Sequence, residues 1–125
     1  MACAATQGDR GQAWILDSGA FRHITYTSAG MHNVRPMKED LYIRFGNGSK
    51  ARVEAVGEVP GSEVASLTMT DGFHVPEAKM NLFSIDRAVE KGLTVRFSRV
   101  NAAVRHCHLE KNGQVLAKAV SRPPA

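Results

Sequence analysis

Short runs in which apolar residues are either contiguous or alternate with polar ones make up most of this chain. Such runs are typical of strands, because side chains in a strand point to opposite faces in turn. They cover residues 13–16, 41–45, 50–59, 64–70, 73–75, 93–97, 102–109 and 114–120. Residues 21–27 fit either a short strand or a single helical turn, and residues 30–40 are polar and predict an irregular segment.

Turn residues separate these runs. Asn47-Gly48 and Asn112-Gly113 each lie between two apolar runs, a strong hairpin signal. Further turns are expected at residues 60–62 and at Asp71-Gly72. The spacing of Leu82, Ile85 and Val89 instead predicts a helix, with Asn81 as its cap and Gly92 at its end. The pattern therefore predicts a mostly β domain with one helix late in the chain.

The length of 125 residues and the apolar fraction of 43% suit one small globular domain. We expect this domain at residues 12–120, with a flexible arm at 1–11 and a flexible tail at 121–125. No apolar run is long enough for a membrane span, and no secretory signal is recognised, so no membrane partner is expected. Two cysteines provide no disulfide framework, which favours a reducing, intracellular setting.

The formal net charge of +4 raises the question of nucleic-acid binding. The sixteen Lys and Arg residues are dispersed, however, and no block of like charge forms. Interleaved aromatic residues, which stack on bases, are also missing. Nucleic acid is therefore an unlikely partner for this domain, although a basic binding domain stays a rival interpretation that a salt titration would separate.

Asp17 is the most informative residue. It ends the apolar run at residues 14–16, and Ser18, Gly19 and Ala20 follow it directly. A strand would deliver this carboxylate to a tight turn, where it becomes a candidate for acid–base chemistry. The alternative is that Asp17 caps a short helix near Ala20 or only opens a turn. From these residues alone the two interpretations are about equal.

One carboxylate cannot act as acid and base at once, whereas two that share a proton can. The chain has a single Asp-Ser-Gly turn and no internal duplication. A catalytic Asp17 would therefore need a second copy of the chain, giving a symmetric homodimer with the two carboxylates at its axis.

The histidines raise the question of a metal. His106 and His108 alternate on a predicted strand, and with His23 or His32 they would give a ligand set. No zinc-binding motif supports this, so we expect no metal and no cofactor, with His106 and His108 as ordinary strand residues. The role of His23 stays open. Trp14 is expected in the core or in a dimer interface.

Three segments resemble one family in order and spacing. Residues 14–25 read Trp-Ile-Leu-Asp-Ser-Gly-Ala-Phe-Arg-His-Ile-Thr, residues 43–49 contain Phe-Gly-Asn-Gly-Ser, and residues 74–85 contain Val-Pro and Asn-Leu-Phe-Ser-Ile. Together they resemble the protease segment of copia-type LTR retrotransposon polyproteins, which is similar to retroviral aspartic proteases. The resemblance extends over about residues 12–120. Phe21 departs from the family pattern, which more often has a small or hydroxyl residue there.

The resemblance implies an all-β, retropepsin-like fold: a closed β-barrel with a flap hairpin and one short late α-helix, active as a homodimer. Asp17 would be the catalytic carboxylate, Ser18 would brace the pair across the axis, and Gly19 would let the substrate approach. The flap tip would comprise Gly46, Asn47, Gly48 and Ser49. Supporting positions would be Ala20, Leu82, Phe83 and Ser84.

The implied function is aspartic endopeptidase activity toward the element's own Gag-Pol polyprotein. Its setting would be cytoplasmic, inside a virus-like particle. The alternative is a catalytically weak or domesticated copy that binds peptides without cutting them. Intact Asp17, Ser18 and Gly19 favour the enzyme.

Overall fold

The computed structural model describes residues 2–5, 14–17, 19–60 and 68–121. These residues form twelve strands, one short α-helix and one turn of 3-10 helix at Pro76–Ala78. The helix, α1, spans Ile85–Glu90. The strands are β1 (Ala2–Ala5), β2 (Trp14–Asp17), β3 (Ile24–Thr25), β4 (His32–Pro36), β5 (Tyr42–Arg44), β6 (Lys50–Arg52), β7 (Ala55–Pro60), β8 (Thr68–His74), β9 (Asn81–Ser84), β10 (Thr94–Arg99), β11 (Arg105–Lys111) and β12 (Gln114–Ser121). The expected all-β class with one late helix is confirmed.

Ten strands form one sheet, in the order β10-β11-β12-β1-β2-β9-β3-β8-β7-β4, while β5 and β6 form a separate hairpin. The predicted closed barrel is not observed, because no pairing among the described residues joins β10 to β4. The C-terminal strands β10–β12 instead extend the sheet beyond β1. Within the described part of the chain, β10 and β4 are therefore the edges of this sheet, which a closed barrel would lack.

The middle of the sheet brings together segments that are remote in sequence. Strand β9 runs parallel to β2, with Asp17 opposite Ser84, and it also pairs with β3. All four residues of β9 are buried. Two of these four residues are polar, so no apolar run marks the strand in the sequence. Pairing with β2 and β3 makes residues 81–84, where the spacing predicts the start of a helix, a strand instead.

Two apolar clusters lie on opposite sides of this central region. Trp14, Leu16 and Phe83 belong to the larger cluster, with Cys107 and Leu109 from β11. The second cluster has six buried members, which are Ile24, Ala51, Val53, Val75, Ala78 and Leu82. Neighbouring residues of β9 therefore serve different clusters, as strand alternation requires. The prediction that Trp14 packs in the core is confirmed.

Asn81 does not cap the helix, as its sequence position suggested. Ser84 is the N-cap of α1, and its side chain accepts a hydrogen bond from Arg87 N at 3.0 Å. Asn81 is 1% exposed, and its Oδ1 accepts hydrogen bonds from Thr25 Oγ1 and Tyr26 N. Gly92 follows the helix with a φ of 92°, in the left-handed region expected of a C-terminal glycine.

Two further turn and loop predictions are wrong. Asp71-Gly72 is not a turn but part of β8, where the register against β7 shifts between Gly57 and Val59. Between the pairs Gly57–Gly72 and Val59–Met69, β8 has one more residue than β7. Asp71, with a φ of 56°, forms the bulge that accommodates it. The segment expected to be irregular contains β4, which is an edge strand that ends at Pro36, a position where proline costs no ladder hydrogen bond.

Two more boundaries differ from the predicted ones. The run at residues 50–59 is divided into β6 and β7, which belong to different sheets. Part of the expected N-terminal arm, Ala2–Ala5, forms β1, whose backbone pairs with both β2 and β12. Some predictions concern residues outside the described ranges: Ser18, the arm at 6–11, the turn at 61–62, the strand start at 64–67 and the tail at 122–125.

Candidate functional site

Asp17 is the last residue of β2, and backbone pairing flanks it on both sides. It lies opposite Ala2 of β1 and opposite Ser84 of β9. The backbone at Asp17 is thus held by two strands while the side chain is partly accessible. A carboxylate at the end of a supported strand has a defined position and contact with solvent, which are both requirements of acid–base chemistry.

The turn after Asp17 orients its carboxylate. Gly19 N donates a hydrogen bond to Asp17 Oδ1 at 2.8 Å, the pattern of an Asx turn. A Cβ at position 19 would lie 3.3 Å from the same oxygen, closer than most side chains approach. Gly19 therefore lets the main chain come close to the carboxylate. Asp17 does open a turn, as the alternative interpretation held, and it also faces the cleft described below.

The predicted flap tip is a tight hairpin loop between β5 and β6. Gly48 N donates to Phe45 O at 2.9 Å, and Phe45 N donates to Ser49 O at 2.8 Å. Gly48 has a φ of 89°, which makes this the three-residue loop that pairs a type I turn with a left-handed residue. Asn47 Oδ1 accepts hydrogen bonds from Ser49 N and Ser49 Oγ. The Asn-Gly hairpin signal is confirmed here and at Asn112-Gly113.

The hairpin is anchored at its base and exposed at its tip. Ala51 and Val53, which are 2% and 0% exposed, pack in the second apolar cluster. Val53 N also donates to Leu41 O at 2.8 Å, which ties the base together. The tip, Gly46 to Ser49, is exposed throughout. This division lets the tip change its position without loss of the core contacts.

A cleft of about 720 Å³ lies between the Asp17 turn and the β5–β6 hairpin. Its volume is in the usual range for ligand sites. Most of the lining is apolar and includes Ile24, Phe45, Phe73 and Leu82. Asp17 is the only carboxylate among the described residues that line it. The site thus combines an extended apolar groove with one carboxylate at the end of a strand.

The predicted supporting residues lie in the Asp17 turn itself or in the neighbouring strand β9. Ser84 Oγ donates to Ala20 O at 2.6 Å and accepts from Arg87 N, so one hydroxyl connects the turn to the start of α1. Ser84 is 0% exposed. Leu82 lines the cleft, whereas Phe83 packs on the opposite side of β9. Ala20 and Leu82 therefore line the cleft, whereas Phe83 and Ser84 pack behind it.

His23, whose role the sequence left open, is a buried structural acceptor. Its Nδ1 accepts a hydrogen bond from Ser84 N at 3.0 Å, and its ring packs on Phe83 at a centroid distance of 4.6 Å. Burial, together with the charges of Arg87 and Arg22, lowers the pKa of His23 from 6.5 to about 4. The imidazole is therefore neutral at physiological pH, with its proton on Nε2.

Some residues of the cleft were missed by sequence reasoning. Arg22, Tyr42 and Arg44 line it together with the predicted Asp17 and Gly19. Phe21 also lines it and is 81% exposed. No local pattern identified them: Ile43, which packs against the second cluster, lines the cleft as well, and the hairpin meets the Asp17 turn only in the folded chain.

Neither a metal centre nor a membrane helix is found in the described ranges. No group of three or more His, Cys, Asp or Glu side chains there could hold a metal ion. His106 and His108 lie near each other, with ring centroids 6.1 Å apart. None of the described helices has the length and hydrophobicity to cross a bilayer.

The fold and the cleft define an all-β domain in which, among the described lining residues, one carboxylate lies beneath a hairpin. The family model described as "Pol polyprotein, beta-barrel domain" matches residues 14–93, which is more than half of the chain. The protein belongs to this family, a Pol-type polyprotein region of retroelements. The matched range contains the Asp17 turn, the hairpin, β9 and α1. Comparison with curated proteins gave no match.

Proposed function

We propose that this domain is an aspartic endopeptidase of a copia-like retrotransposon, active as a homodimer on the element's own Gag-Pol polyprotein. The observation that carries the proposal is the position of Asp17: at the end of a supported strand, in an apolar cleft, beneath a hairpin. Membership of a Pol polyprotein family supports it. A peptide in extended form suits the groove, because its side chains alternate and reach apolar pockets on both sides.

The proposed chemistry needs two copies of Asp17. Among its described residues, one subunit provides a single carboxylate to the cleft. In a symmetric dimer two Asp17 carboxylates share one proton: the ionised one accepts a proton from water, and the protonated one donates to the scissile carbonyl oxygen. No covalent intermediate forms. Ser18 would brace the pair, and the Gly46–Ser49 tip would close over the peptide and exclude water.

The behaviour of the pair with pH follows from this scheme. Because exactly one shared proton is needed, the rate should peak at mildly acidic pH and fall on both sides. The two carboxylates titrate as a unit, so the profile reports the pair rather than one residue. The intracellular particle, rather than a secretory compartment, would be the site of the reaction.

The decisive experiment compares the wild type with Asp17→Asn on a polyprotein fragment that spans the domain's own flanks. Asp86→Asn is the matched control, since Asp86 is an exposed residue of α1 away from the cleft. We expect Asp17→Asn to abolish cleavage, whereas Asp86→Asn should cut the fragment like the wild type. A transition-state inhibitor of aspartic proteases should block cleavage by the wild type and by Asp86→Asn. The solution mass of all three should be that of a dimer.

Three results would overturn the proposal. Cleavage by a clean Asp17→Asn preparation would show that another group performs the chemistry. Binding of peptides by a dimeric wild type that cuts none of them would instead favour the peptide-binding module. A monomer at all concentrations would leave only one carboxylate per site and would contradict the mechanism.

A further inference from the structure

Two arginines contribute positive charge to the cleft from different elements. Arg22 follows the Asp17 turn, and Arg44 ends β5 in the hairpin above it. They therefore line the cleft from two different elements. The remainder of the lining is mainly apolar, so Arg22, Arg44 and Asp17 are the charged residues among the described ones that line it.

Neither arginine has an acidic partner. Among the described residues, no carboxylate oxygen lies within 4 Å of Arg22 or Arg44, Asp17 included, whereas four other arginines have such a partner. Those four are Arg35, Arg52, Arg87 and Arg96. Both arginines of the cleft therefore keep uncompensated charge.

Local contacts restrict both guanidinium groups and leave donors available. Arg22 lies over the ring of Phe73, with its Cζ 5.5 Å from the ring centroid. Arg44 Nη1 donates to Gly48 O at 3.2 Å, which ties it to the hairpin tip. A guanidinium has five N–H donors, so each group can still bind a carboxylate through two parallel hydrogen bonds.

A ligand that covers the cleft removes water from these charges. Burial of an unpaired guanidinium is costly, whereas a carboxylate in a charge-assisted hydrogen bond offsets that cost. Resting on the proposed function, we infer that the cleft selects peptides with an acidic side chain close to the apolar residues at the cut, and that Arg22 and Arg44 recognise this side chain. They are specificity-determining residues, not catalytic ones.

The test uses amidated, N-acetylated peptides, so that a side chain supplies the only carboxylate. A library of such peptides, cut by the wild type, identifies a parent sequence. Matched versions of the parent then carry Glu, Gln or Lys at each position in turn. We expect kcat/KM for Glu to exceed that for Gln by about tenfold at one or two positions, with a smaller ratio at high salt. A further peptide carries Gln at the selected position and a free C-terminal carboxylate. Its cleavage rate shows whether a terminal carboxylate can replace the Glu side chain.

Variants assign the preference to the arginines. Arg22→Gln and Arg44→Gln should each reduce the Glu-to-Gln ratio, and the double variant should abolish it. Arg22→Glu should shift the preference toward Lys. Arg105→Gln is the matched control, because Arg105 is an exposed arginine of β11 that does not line the cleft, and it should retain the ratio.

Failure of this inference differs from failure of the proposed function. Efficient cleavage with equal rates for Glu and Gln peptides, or a ratio that persists in the double variant, would overturn the inference alone. If no peptide is cut, fluorescence anisotropy of labelled library peptides with the wild type decides: Arg-dependent binding of acidic peptides supports the inference without the protease. Binding without charge preference, or no binding, overturns it.

Discussion

At the residue scale, Ser84 connects three parts of the site, two through its hydroxyl and one through its backbone. It donates to Ala20 O, caps α1, and lies opposite Asp17 in the sheet. Ser84→Ala leaves a buried carbonyl and a helix N–H without partners. We expect it to lower the free energy of unfolding by about 2 kcal/mol and to reduce turnover. Denaturant unfolding and a kinetic assay check this, with the exposed Ser28→Ala as control.

His23 gives the fold a sensitivity to acid. Its pKa is lowered to about 4 in the folded protein from the ordinary 6.5, so the unfolded chain binds more protons between these values. Stability from His23 is therefore complete above pH 6.5 and is lost as the pH falls toward 4. At about 1.4 kcal/mol per pKa unit, the loss amounts to about 3 kcal/mol.

The variant His23→Asn tests this contribution, because its amide oxygen can still accept from Ser84 N and does not titrate. We expect lower stability than the wild type at pH 7 but a shallower decline between pH 6.5 and 4. Urea unfolding at several pH values measures both. Equal slopes in the two proteins would show that other groups cause the acid sensitivity.

At the scale of elements, the hairpin depends on one backbone conformation. Gly48 is in the left-handed region, with a φ of 89°, whereas Gly46 is not, and a Cβ at either position would meet open space. Gly48→Ala should therefore cost about 1 kcal/mol through backbone strain alone, and Gly46→Ala should be near neutral or slightly stabilising. The free energy of unfolding and the peptide affinity of each variant are measured and compared with those of the wild type. Equal effects would contradict the assigned loop geometry.

Elements with strong local signals could be predicted from the sequence. Asn47-Gly48, Asn112-Gly113 and the apolar run before Asp17 all indicated the structures found, because turn chemistry and strand alternation act over a few residues. The strand at residues 81–84 could not be recognised, since its burial depends on β2 and β3 from a distant part of the chain. Arg22 and Arg44 were missed for the same reason: only the folded chain brings the turn and the hairpin to one cleft.

At the scale of the whole molecule, the proposed shared site predicts how subunits interact. Wild type diluted with Asp17→Asn at equal total concentration should lose activity as the square of the wild-type fraction, about one quarter at equal proportions, because mixed dimers have one carboxylate. Dilution with Asp86→Asn should preserve full activity. A linear decline to one half would mean that each subunit acts alone.

The parallel pairing of β2 with β9 also determines when the centre can exist during synthesis. Ser84 and Ala20 are 64 residues apart in sequence, and β1 pairs with β12 near the other end of the described chain. A ribosome releases residues in order, so the Asp17 strand emerges long before the neighbours that support it. Under the proposed function, a nascent chain therefore has no assembled carboxylate site until the last strands of this domain have left the exit tunnel, and upstream segments stay uncut by that chain until then.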